Sequence, residues 1–238
     1  MKFERTQTFG WEPALHGLRN PYDSWAKADS KWDTVPFSDE PVFVVGPNDK
    51  DLALRMCKGG SPHNKFLRQI FVATDITATM MFWRQFDTYR AGVEKDACST
   101  MHTLHKREFQ IRQFDHRELV SANWSEADNF SEGHVPGQVL SYICEALNEY
   151  RKLYLSAKES GDEARAKMFW MQMNLLLPQS YLQMRTVTMS YAALANICHQ
   201  RKGHKLTEWH EFIEWVRTLP NSWLIFGEEG DSQNVDGN

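Results

Sequence analysis

The sequence predicts an α+β fold, a small central β-sheet packed with several long helices. Three observations carry the prediction. Apolar residues recur at three- and four-residue steps through most of 138–219, the period of an amphipathic helix. Two short stretches in the first half are instead rich in β-branched and aromatic residues, as strands are. Nine Trp and 13% aromatics in 238 residues promise a sizeable core, enough for a single domain over 1–226.

Residues 1–47 have no sustained period and are rich in Trp, Pro, Asp and Ser, as in Phe9-Gly10-Trp11-Glu12-Pro13 and Asn20-Pro21-Tyr22-Asp23-Ser24-Trp25. Pro and Gly argue against a long helix, and the aromatics argue against disorder. The segment is therefore expected to lie irregularly on the core, with one short strand over 41–45. Asn48 and Asp49 are expected to cap a helix over 50–58 that Gly59-Gly60 stops. A strand is expected over 66–77, where Ile70, Val72, Thr74 and Ile76 alternate with Phe71, Ala73 and Asp75; 78–89 then reads as helical.

From Gln138 onward, Val139, Ile143, Leu147, Tyr150 and Leu153 mark a helix, and the break Ser160-Gly161-Asp162 introduces a second over 163–176. Pro178 is expected to open a third at its first turn, running to about Gln200 with Arg185, Met189, Ala192 and Asn196 on one side. Gly203 ends it. Leu206, Trp209, Phe212, Ile213, Val216 and Leu219 then mark a fourth helix that Pro220 closes. The tail 227–238 is acidic, Gly-rich and almost without apolar residues, which predicts disorder.

Charge and cysteine usage exclude several classes. With 27 Lys+Arg against 31 Asp+Glu the net charge is −4, so no strong field points to direct nucleic-acid binding or to an acidic membrane. No apolar run approaches the ~20 residues of a membrane span, and Met1-Lys2-Phe3-Glu4-Arg5-Thr6 is not the start of a secretory signal. Four cysteines, each more than 40 residues from the next, suit reduced thiols in a cytoplasmic setting. His102, His105 and His116, and separately His199, His204 and His210, lack metal-site spacing, so no metal is expected. A nucleophile elbow, a Walker A loop and a dinucleotide fingerprint are all missing from the sequence.

Two stretches carry chemistry. Phe82-Trp83-Arg84-Gln85-Phe86-Asp87-Thr88-Tyr89-Arg90 leads toward Ala97-Cys98-Ser99-Thr100-Met101-His102. A guanidinium, small hydroxyls, loop N–H groups and an imidazole are the donors a phosphate monoester needs. The other stretch follows Leu177-Pro178 and carries Arg185, Asn196 and, at its end, Arg201.

In that order, the chain resembles the flavin-dependent thymidylate synthase family, in particular its divergent, phage-encoded branch. Counting from Pro178, the family's Leu, Asn and Arg at +16, +18 and +23 fall on Leu194, Asn196 and Arg201, and Leu206-Thr207-Glu208-Trp209 stands at its next helix start. Trp83-Arg84-Gln85-Phe86, after Gly60-Ser61-Pro62-His63, stands where the family carries Arg-His-Arg before a Ser-containing nucleotide loop. Gly17-Leu18-Arg19 and Ser24 echo an Arg-x-Ser near its amino terminus. The chain departs from the family at Gln85 and Phe86, at Ser190 and Ala192 in place of Asn-x-Arg, and at Asn174 in place of an arginine that contacts the nucleotide.

The resemblance implies reductive methylation of dUMP to dTMP by FAD, with methylenetetrahydrofolate and NADPH as co-substrates and no protein nucleophile. It implies a homotetramer with active sites between subunits. By the same resemblance the nucleotide falls to Arg84, Ser99, Thr100, His102, Asn174 and Arg201, and the flavin to Gln85, Arg185 and Asn196. His102 stands where the family has an arginine after the serine. Two alternatives stay open: a hydroxymethylase acting on dUMP or dCMP, and a nucleotide-binding relative without catalysis. Cys98 is less favoured as a nucleophile than as a small loop residue.

Overall fold

The structure is a computed structural model that describes residues 1–34, 41–60, 62–121 and 123–227. Strands are β1 (Lys2–Phe9), β2 (Lys31–Asp33), β3 (Val42–Val44), β4 (Phe71–Thr79), β5 (Val93–Ala97) and β6 (Leu182–Ser190). Helices are α1 (Trp11–Arg19), α2 (Pro47–Lys58), α3 (Met80–Phe86), α4 (Thr100–Thr103), α5 (Pro136–Glu159), α6 (Glu163–Leu175), α7 (Tyr191–Arg201), α8 (Thr207–Arg217) and α9 (Trp223–Phe226). The α+β class is as the sequence predicts.

A four-stranded sheet has the order β1-β4-β6-β5, and β2 pairs antiparallel with β3. Tyr191 N bonds Ile70 O at 2.9 Å and Met80 N bonds Tyr181 O at 3.0 Å, which makes β4 and β6 antiparallel. By packing, the chain divides into two compact units: Met1–Ile76 with Asp87–Asp96 and Thr186–Asn238, and Thr77–Phe86 with Ala97–Arg185. Both β4 and β6 change units partway along their length.

In the first unit β1 is an edge strand whose side chains are mostly exposed. Gly10 follows it at φ 87, a left-handed turn that L side chains rarely adopt, and an added Cβ there would meet Gln69 O at 2.0 Å. α1 then buries Trp11, Ala14, Leu15 and Leu18. The expectation of irregular chain over 1–47 is therefore corrected. A polar edge strand lacks the apolar alternation that announces a central one, and Pro13 sits in the first turn of α1, where its missing N–H costs nothing. The short strand expected over 41–45 is β3. α2 starts three residues before the expected 50, with Pro47 in its first turn and Gly59 at its C-cap.

Its core gathers Leu52, Phe66, Leu67, Ile70, Val72, Val187, Met189, Leu194, Trp209, Phe212 and Val216, all buried. Tyr191 is buried against Trp11 at 5.1 Å, edge to face, and its hydroxyl donates to Pro220 O at 2.6 Å. The strand expected over 66–77 begins later, because 65–68 forms a 3₁₀ turn. The helix expected over 78–89 is shorter, ending at Phe86.

The second unit is built on the α5–α6 hairpin, as the periodicity predicts. Gly161 turns the chain at φ 75, and the Asp162 carboxylate accepts from Arg165 N to cap α6. Leu104, Phe109, Phe114, Leu140, Cys144, Leu147 and Met173 form its core. The helix expected from Pro178 to about Gln200 is overturned: Leu182–Ser190 is β6, and the helix begins only at Tyr191, capped by Ser190 Oγ. The β-branched run Thr186-Val187-Thr188, with Gln183, Val187 and Met189 buried at period two, favours the pleat over the helix. Thr186 Oγ1 then reaches the buried Asp75 Oδ1 at 2.6 Å.

Most of the predicted tail, from 228 on, lies outside the described residues. No helix among the described residues is long and apolar enough to cross a membrane.

Candidate functional site

Within the second unit, a buried amide organises the strands and loops that bear most of the expected residues. Gln183 O accepts from Trp83 Nε1 at 2.9 Å, and Gln183 Nε2 donates to Cys98 O at 2.8 Å. Arg185 Nε donates to Gln183 Oε1 at 2.9 Å, and its guanidinium lies 4.4 Å over the Trp83 ring. Cys98 N adds a bond to Met184 O at 3.0 Å. One residue thus ties α3, β6 and the start of the 98–102 loop together. The sequence reading missed Gln183, whose signal was a polar residue among alternating β-formers.

The loop beyond Cys98 presents donors without partners. Ser99 is the N-cap of α4 but makes no side-chain capping bond. Its carbonyl accepts from His102 N at 3.2 Å and from Thr103 Oγ1 at 2.7 Å. Among the described residues the hydroxyls of Ser99 and Thr100 and the His102 ring have no hydrogen-bond partner. Trp170 Nε1 on α6 donates to Met101 O at 3.0 Å, and one turn on, Asn174 Nδ2 donates to Trp170 O at 2.8 Å. Asn174 therefore shares its helix face with the residue that holds the loop. On α3, Arg84 is exposed and has no ion pair among the described residues, whereas Gln85 is half-buried.

Arg201 and Asn196 lie on α7 in the first unit. Arg201 Nε donates to Tyr89 Oη at 2.8 Å, and its guanidinium stands 4.6 Å over the buried Trp209 and 5.4 Å over Tyr89. Gln200 Oε1 accepts from Tyr89 Oη at 3.1 Å. Asn196 is exposed, and its Oδ1 accepts from Gln200 Nε2 at 3.0 Å. The expected shared helix face of Arg185 and Asn196 is corrected, since Arg185 belongs to β6 and Asn196 to α7. The aromatic seat of Arg201 was not read from the sequence.

The cysteines differ in environment. Cys98 is exposed, Cys144 and Cys198 are buried, and Cys57 is half-buried. Burial pushes the Cys57 thiol up to about 11 and that of Cys198 to about 12.

Gln183→Leu is expected to weaken the 98–102 loop selectively. It removes the Gln183 Nε2–Cys98 O and Arg185 Nε–Gln183 Oε1 bonds, each worth about 0.5–1.5 kcal/mol. Hydrogen exchange should then rise at 98–103 more than in the α5–α6 hairpin. Equal protection in both variants would show that the loop is held by something else.

No family model matches the sequence, and no curated protein matches it significantly. Its architecture does have known counterparts: the chain has the fold of flavin-dependent thymidylate synthases. Two solved structures of thymidylate synthase X (ThyX) from Helicobacter pylori, each with FAD and dUMP, are similar to it. Both are 17% identical, with a TM-score of 0.61 over 96% of this chain and 98% of theirs.

Proposed function

We propose that the chain transfers a one-carbon unit to C5 of a pyrimidine deoxynucleotide by flavin-dependent chemistry, converting dUMP to dTMP with methylenetetrahydrofolate and NADPH. The observation that carries this reading is the 98–102 loop. In a fold whose solved counterparts bind FAD and dUMP, it offers the Ser99 and Thr100 hydroxyls and the His102 ring, without a side-chain hydrogen-bond partner among the described residues, on a frame fixed by Gln183.

The donor set suits a phosphate-bearing nucleotide and cofactor. Arg84 has a guanidinium with no ion pair among the described residues, the charge that a phosphate or pyrophosphate requires. Ser99 and Thr100 add hydroxyl donors and His102 a ring nitrogen. Gln85 and Asn196 supply amides that can donate to and accept from a flavin ring edge. Arg185 is engaged by Trp83 and Gln183, so its part on the flavin side is to set charge and position. Asn174 contributes an amide at the arginine position the family uses for the nucleotide, and Arg201 a guanidinium against two rings. FAD, when bound, supplies the hydride chemistry, and the protein's residues bind, orient and neutralise charge.

A homotetramer forms part of the proposal. On α6, Met168, Met171 and Leu175 follow one another at helical steps and are exposed, Leu175 by 71%. An apolar stripe of this kind is the usual mark of a helix that packs against something, and a second copy of the chain suits it.

The test is direct. The purified protein is expected to be yellow and, given dUMP, methylenetetrahydrofolate and NADPH, to yield dTMP by mass spectrometry. A colourless protein that still binds dUMP would leave the non-catalytic reading. The amides Asn174 and Gln85, at positions where the family has Arg and His, favour a second reading, hydroxymethylation of dUMP or dCMP. A nucleotide product heavier by hydroxymethyl rather than methyl would establish that one.

A further inference from the structure

A second feature of the second unit lies outside every residue carried by the resemblance. A cavity of about 300 Å³ is lined by Cys98, Thr103, Leu104, Lys106, Arg107, Phe109, Gln113 and Tyr181. Its polar lining carries an ammonium, a guanidinium, the Tyr181 phenol, an amide and a thiol, with the Thr103 hydroxyl already given to Ser99 O and no carboxylate among the lining residues. Lys106 and Arg107 are both exposed, and neither has an ion pair or a side-chain hydrogen bond among the described residues. Glu108 is the single acidic residue between 101 and 114.

The segment carrying the two cations is fixed at both ends. Arg151 Nε on α5 donates to His105 O at 2.8 Å. Phe109 N donates to Asn148 Oδ1 at 2.8 Å, and Asn148 Nδ2 returns a bond to Phe109 O at 2.9 Å. Leu104 and Phe109 belong to the hydrophobic core. Two adjacent, unneutralised positive charges on an anchored backbone repel each other, an arrangement that an anion would relieve. The field is felt by the neighbours. His105, whose Nδ1 is buried without a partner, is held below the usual imidazole range by burial and then by Lys106, Arg151 and His102. Burial and the nearby Cys98 raise the Tyr181 phenol, while Arg107 opposes them, so the hydroxyl stays protonated at neutral pH and available as a donor.

We infer that this cavity is an oxyanion subsite for a phosphate group, in which Lys106 and Arg107 supply the charge and Tyr181 the hydroxyl donor. That the phosphate belongs to a pyrimidine nucleotide rests on the reading proposed above, and free phosphate is the other source of the same chemistry. The volume lies at the lower end of small-molecule sites, about 300–1,000 Å³.

The experiment is calorimetric titration of the wild-type protein and the Lys106→Met/Arg107→Gln variant with dUMP, deoxyuridine and inorganic phosphate. Both side chains are exposed, so the variant is expected to fold, and its thermal midpoint checks this. A Lys106→Arg/Arg107→Lys exchange, which keeps both charges, provides the rescue. The expected result is dUMP affinity about tenfold or more weaker in the neutral variant, largely restored by the exchange, with deoxyuridine binding unchanged. If wild type binds dUMP and the neutral variant binds dUMP and phosphate equally well, the subsite is overturned and the nucleotide reading stands. If wild type binds inorganic phosphate through these residues but not dUMP, the nucleotide reading fails and the subsite stands. Binding of neither overturns both.

Discussion

Arg19→Met is expected to destabilise the first unit by about 3–5 kcal/mol, the usual loss when one partner of a buried ion pair is removed. Arg19 and Asp49 are 3% and 1% exposed, and Arg19 Nε meets Asp49 Oδ1 at 2.6 Å. The other carboxylate oxygen accepts from Ser30 Oγ at 2.6 Å, Ser30 N at 2.9 Å and Asp29 N at 3.1 Å. The pair therefore fastens α1, α2 and the 29–30 turn at one point. Without the guanidinium, Asp49 keeps a desolvated charge with only neutral donors.

Urea unfolding followed by Trp fluorescence measures the loss, and Arg19→Met/Asp49→Leu should recover much of it by removing the stranded charge. A single-variant loss below about 1 kcal/mol would mean that water reaches the carboxylate and the pair is not truly buried. The acid side has a defined sign. Burial raises the Asp49 carboxyl, but the bonds from Ser30, Arg19 and the two backbone N–H groups outweigh it, and the net shift is downward. Its stabilisation is thus complete above the unfolded carboxylate value of about 3.9 and is lost as pH falls below that toward the depressed folded value.

Arg201→Ala is expected to cost roughly 2–4 kcal/mol of dUMP binding if this guanidinium meets the nucleotide as proposed. Removing it also empties the space over Trp209 and beside Tyr89 Oη, so stability should fall in parallel. Arg201→Lys separates the two effects: an ammonium keeps the charge but not the planar fork. It should keep most of the fold and recover only part of the affinity. Unchanged dUMP affinity in Arg201→Ala by calorimetry would remove Arg201 from the site.

Periodicity made α5 and α8 legible in the sequence, because each must bury one apolar stripe, and the Ser160-Gly161-Asp162 break marked the start of α6. β4 was legible for the equivalent reason at period two. β1 was not, since Thr6, Gln7 and Thr8 on an edge strand advertise no buried face. β6 was hidden by a different cause. Arg185, Met189, Ala192 and Asn196 share one side at helical spacing, a rhythm that passes over the Thr186-Val187-Thr188 run that breaks it. At the candidate site, residue chemistry alone singles out the loop with Ser99, Thr100 and His102 as a candidate. Gln183 could not, because its importance comes from three bonds to residues distant in sequence. The same holds for Lys106 and Arg107, ordinary cations until folding places them beside Tyr181 with no ion pair among the described residues.

The distribution of thiols opens a chemical route into the site. Thiolate is the species that reacts with maleimides and disulfide probes, and burial suppresses it at Cys57, Cys144 and Cys198. Cys98, exposed at the start of the loop, is therefore the position where an environment-sensitive fluorophore attaches first. A label at Cys98 is therefore expected to report binding at the proposed nucleotide or phosphate site through a change in emission, with no engineered cysteine and no need for turnover.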